Sequence, residues 1–159
     1  MSDATFEDGD EQPLRLRAET VEGLQVLSAF VQDAVGQNSE ISWLAKKHRF
    51  AMLLNRFRWE DRDNAIAQGR PFERVQSTLI VENCLKVTSQ GVDPKDKDMV
   101  FELLSISFVP AEDGAGKVLL TVAGDGTIAL DVECLDVALA DVSRPYIARA
   151  KAAPHHPVD

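Results

Sequence analysis

Apolar residues in this chain recur in two rhythms. Behind Thr20, the residues Val21, Leu24, Leu27, Val31, Ala34 and Val35 return at steps of three and four. That period predicts an amphipathic helix with Thr20 as its N-terminal cap and Gly36 as its C-terminal stop. Elsewhere the period is two, as in half-buried strands. Leu14 and Leu16 alternate with Arg15 and Arg17. Ile41, Trp43 and Ala45 lead through the short polar link Lys46-Lys47-His48 into a long strand over residues 49–59, predicting an antiparallel hairpin. Apolar residues occupy both faces of that second strand, which predicts a central position or cover on each side.

Residues 60–71 read as a loop or short helical turn. A strand over 74–88 follows, with Val75, Leu79, Val81, Leu85 and Val87 on one face. A charged turn over 91–98 leads to a strand over 99–109, stopped by Pro110, which cannot continue a ladder. Residues 117–123 and 127–139 form two more strands around the tight turn Gly124-Asp125-Gly126. The apolar phase slips by one at Leu135, Val137 and Leu139, predicting a β-bulge or the end of a strand. These elements predict an α+β fold: an antiparallel, strongly curled sheet of about seven strands with one N-terminal helix packed on it. The expected organisation is a disordered acidic tail over 1–13, one domain over 14–142 and a surface arm over 143–159.

Composition narrows the function. The chain has 159 residues, 45% of them hydrophobic, and a formal net charge of −9, values that suit one domain with an ordinary core. No apolar run is long enough for a membrane-spanning helix, and the acidic start does not read as a secretory signal. A cytoplasmic, reducing setting is expected, with Cys84 and Cys134 packed as small apolar side chains. The net charge argues against coating DNA, yet the charge is uneven. Residues 46–74 hold eight bases against four acids, and residues 75–142 hold four bases against twelve acids.

The basic stretch contains the densest polar and aromatic constellation: Asn55, Arg56, Arg58, Trp59 and Glu60, with Trp43 and Arg49 nearby in the hairpin. Forked guanidinium groups can grip a carboxylate or phosphate, and tryptophan can anchor a partner. The same arginines can equally pair with the acids of 131–141 on a neighbouring strand. Catalytic patterns are thin. His48 sits at a turn, His155 and His156 lie in a proline-flanked tail, and no nucleophile–base–acid set or metal-ligand spacing occurs. No cofactor is expected.

Three stretches carry a family likeness: Ser42-Trp43-Leu44 through Arg49-Phe50 to Asn55-Arg56-Phe57-Arg58-Trp59-Glu60; Glu102-Leu103-Leu104-Ser105-Ile106-Ser107-Phe108; and Asp131-Val132-Glu133-Cys134-Leu135. Together they resemble the bacterial family of unknown function DUF2948 over nearly the whole chain. The resemblance implies a single-domain cytosolic bacterial protein and supplies no catalytic residues. The residues themselves point to a non-enzymatic module that binds a protein partner, or a second copy of itself, through the aromatic–basic strand. The alternative is a small anionic ligand, with or without catalysis, held by Arg49, Arg56 and Arg58.

Overall fold

The computed structural model describes residues 12–148. The tail expected over 1–13 and the arm over 143–159, with His155 and His156, therefore lie largely outside the described residues. Helix α1 (Val21–Phe30) opens as predicted, Thr20 Oγ1 accepting from Gly23 N at 3.0 Å. It ends earlier than the apolar period implies. Asp33 turns the chain at φ 64°, and Ala34, Val35 and Gly36 already belong to a strand. Gly36 is thus a strand residue and not a helix stop. A Cβ there would lie 2.5 Å from Phe101 Cζ, so close packing of two strands is what requires a glycine.

The strands are β1 (Arg15–Ala18), β2 (Ala34–Leu44), β3 (Arg49–Phe57), β4 (Glu73–Val81), β5 (Cys84–Gln90), β6 (Val100–Pro110), β7 (Gly116–Val122), β8 (Gly126–Val132), β9 (Val137–Asp141) and β10 (Tyr146–Ile147). They form one antiparallel sheet in the order β1-β9-β4-β3-β2-β6-β7-β8-β5, with β10 continuing along β4. The expectation of about seven strands in a strong curl is corrected: among the described residues there are ten, in an open order. The stretch over 74–88 is two strands, broken at Glu82 and Asn83, where Asn83 takes φ 58°. The phase slip after Val132 marks a strand end, with β9 beginning at Val137. A short helix α2 (Arg62–Gln68) follows β3 and stops at Gly69, φ 64°.

Chain length dictates how the sheet is shaped. Glu82 and Asn83 alone join β4 to β5, and residues 133–136 join β8 to β9, though each pair stands six places apart in the order. A flat sheet at ~4.8 Å per strand would separate them by about 29 Å. Links of three and five Cα steps reach only ~11 and ~19 Å. The sheet therefore cannot be flat: it bends near β2, where the register with β3 jumps between Gly36 and Ile41, into two wings that these links join. Cys84 N donates to His48 O at 2.8 Å, tying β5 to the β2–β3 hairpin. Helix α1 packs on β1 and β6, one strand from each wing. Leu24, Leu27, Phe50, Leu54, Leu103 and Leu130 belong to the main core cluster between them. Among the described residues no helix is long and apolar enough to cross a membrane.

Candidate functional site

Alternation along β3 sends Phe50, Met52, Leu54 and Arg56 inward, all buried, while Leu53 and Asn55 face outward. Arg56 is thus an arginine at the end of a core row, and its side chain is entirely buried. Its guanidinium forks onto Glu60 (Nη1 to Oε1 and Nη2 to Oε2, both 2.8 Å). Asp141 receives Nη2 at 3.0 and 3.1 Å, and Nε donates to Ser77 Oγ at 3.0 Å. The Ser77 hydroxyl donates in turn to Asp141 Oδ1 at 2.7 Å, and Asp141 Oδ2 accepts Leu14 N at 2.9 Å. Burial alone would depress the Arg56 guanidinium. The hydrogen bonds and charges of Glu60 and Asp141 outweigh it and hold the group above its ordinary range.

The neighbouring arginines are likewise engaged. Buried Arg58 donates to Glu73 and stands 3.6 Å from Asp61, which Arg70 clasps at 2.9 and 3.1 Å. Half-exposed Arg49 forks onto Glu82 at 2.6 and 3.1 Å, and that bond raises its guanidinium. Arg49, Arg56 and Arg58 therefore do not converge on an open anion site; each is held by carboxylates. The pairing foreseen with the acids of 131–141 is found between Arg56 and Asp141. Asn55 accepts from Arg74 through Oδ1 and its carbonyl, on the outer face. Burial depresses the Arg74 guanidinium, with Tyr146, Asp33 and Glu102 acting against it.

The two tryptophans part company. Trp59 is half-buried, donates Nε1 to Gln32 O at 3.0 Å and packs edge-on to Phe57, ring centroids 4.7 Å apart. Trp43 pairs with Phe50 at the other end of β3, about 23 Å away along the strand. Cys84 is buried, as expected, and burial pushes its thiol up. Cys134, expected to be packed, is exposed, because it lies in the link beyond β8.

Trp43 instead borders a cleft of about 300 Å³ where the β2–β3 hairpin faces β5 and β8. Its walls include Ile41, Trp43, Phe50, Val87, Val92 and Ile128, with Asn38, Ser89 and Lys97 as polar groups. Of the residues singled out in the sequence only Trp43 lies here. The rest come from five segments with no shared motif, so periodicity marked them as core and nothing marked them as a site. The size is at the lower end for small-molecule pockets, and apolar walls with few polar groups are typical of them.

A family model described as "Protein of unknown function (DUF2948)" matches residues 14–156. Comparison with curated proteins and with solved structures found no match. With the match spanning nearly its whole length, the chain belongs to the family of proteins of unknown function DUF2948.

Proposed function

We propose that this chain is a non-enzymatic binding module whose seat is the cleft between the wings. The observation that carries the reading is the cleft's composition: a void of about 300 Å³ walled by Trp43, Phe50 and aliphatic side chains. An apolar concavity of this kind binds by burying ligand surface. Rigid strands on both sides hold it open, which limits the ordering cost of binding. Two unpaired thiols suit a reducing cytoplasm.

The test uses Trp59→Phe, which leaves Trp43 as the single tryptophan. Titration with a panel of neutral and anionic aromatic fragments is expected to shift its emission. Val87→Phe, which fills the cleft, removes that response. No shift with any fragment would overturn the reading.

A second reading keeps the aromatic–basic strand as a surface for a protein partner or a second copy. It is favoured by the half-exposed Trp59 ring, which meets Phe57 edge-on and is fixed by its bond to Gln32, with Phe57 in turn edge-on to Phe72. Light scattering on wild type and Trp59→Ala tests self-association. A concentration-dependent dimer lost in the variant would support it, and a monomer throughout would count against a second copy.

A further inference from the structure

We infer that the cleft takes a small carboxylic acid with an aromatic body and a hydrogen-bond donor. This rests on the cleft being a ligand seat and adds the chemistry of what sits there. Three observations carry it. The walls are apolar, with Trp43 and Phe50 adjacent on paired strands, so they suit a flat ring.

The second is Asn38, which borders the cleft and is 4% exposed. Its Nδ2 donates to Asp93 O and Asp96 O, both at 2.9 Å. Two carbonyls on the same atom fix the amide's orientation, because the flipped form would set oxygen against oxygen. The remaining atom, Oδ1, is buried and has no hydrogen-bond partner. A buried acceptor left unpaired is costly, and an N–H or O–H brought in by a ligand satisfies it.

The third is Lys97, an exposed cation that borders the cleft on the β5–β6 loop and forms no ion pair among the described residues. The loop also carries Asp93, Lys95, Asp96 and Asp98. Asp93 Oδ1 and Asp96 Oδ1 accept the backbone N–H groups of Lys95 and Asp98, at 3.0 and 3.2 Å, and so are turned into the loop. Lys97 is left to meet a negative charge at the mouth. Ser89 spends its hydroxyl proton on Val92 O at 3.0 Å, so it is not a competing donor. An apolar ring, a donor for Asn38 and a carboxylate for Lys97 together define the ligand.

Calorimetric titration of the full chain with three probes separates the parts. The probe 4-hydroxyphenylacetate has all three features, phenylacetate lacks the donor, and 4-hydroxyphenylethanol lacks the charge. The first is expected to bind tightest, with phenylacetate weaker by about three- to tenfold and the alcohol by about three- to fivefold. Lys97→Met, an exposed change, should erase the preference for acid over alcohol, and Val87→Phe should abolish all binding. Equal affinity for acid and alcohol overturns the carboxylate assignment, and equal affinity for the two acids overturns the donor assignment. Either leaves the cleft itself standing as a seat. Binding of none of the probes overturns the inference, and if the wider fragment panel also fails, the seat falls with it.

Discussion

Arg56 shows how one side chain can be costly alone and stabilising in company. A guanidinium taken fully out of water loses several kcal/mol of hydration, which Glu60, Asp141 and Ser77 offset only by surrounding it. Arg56→Met strands two carboxylates in that space, and urea denaturation should show a loss of about 3–5 kcal/mol. Arg56→Lys keeps the charge but not the fork, so it should fall between the wild type and Arg56→Met. Glu60→Gln should cost less than Asp141→Asn, since Asp141 is the more buried carboxylate and carries the bonds to Ser77 and Leu14. The thiols give a second residue-level test. A thiol reagent should label exposed Cys134 promptly and buried Cys84 only as the chain unfolds. Because burial raises the Cys84 thiol, its contribution to stability is complete below the ordinary thiol range. It declines as pH rises from there, since the unfolded chain releases a proton that the folded chain retains. The fall in stability between pH 8 and pH 10 should be steeper in wild type than in Cys84→Ala.

Among elements, α1 and β2 share a boundary that separates local from non-local causes. Thr20→Ala removes the cap on Gly23 N and should cost about 1 kcal/mol. Gly36→Ala, two residues inside β2, pushes a methyl into Phe101 and Leu54 and should cost about 1–3 kcal/mol, read from the urea midpoint. The start of the helix is legible because a cap is a local bond. Its end is not, because Val31 and Ala34 are buried as a helix face would be, although Ala34 is buried by strand pairing with β6. The hairpin through Lys46–His48 and the strands β6, β7 and β8 are legible from alternation and turn residues. The break at Asn83 is not, since a single residue at positive φ sends two similar apolar runs to opposite wings. The candidate site divides in the same way. The arginine–aromatic cluster stands out in the sequence, but its task depends on Asp141, 85 residues away. The cleft is assembled from segments whose apolar residues look like any core.

For the whole molecule, the links that fold the wings together also set how it must fold. Arg15 pairs with Ala140, and neither wing is complete until distant strands meet. Such non-local pairing predicts refolding in milliseconds to seconds, observable as recovery of tryptophan emission in stopped flow. Hydrophobicity alone gives β3 little guidance in that search. Its two faces are both apolar, so sliding it one residue along β4 would exchange one set of buried residues for another. The Arg56 network removes that ambiguity. A one-residue slip carries Arg56 to the outer face and leaves buried Asp141 and Ser77, which belong to other strands, without the guanidinium that faces them. The cluster that looked in the sequence like a grip for something outside the protein thus acts as an alignment key: a mispaired strand is rejected by charge where shape and oiliness would have accepted it. Such a key also binds the future of these positions together, since the cost of a replacement at 56 depends on what 60, 77 and 141 carry.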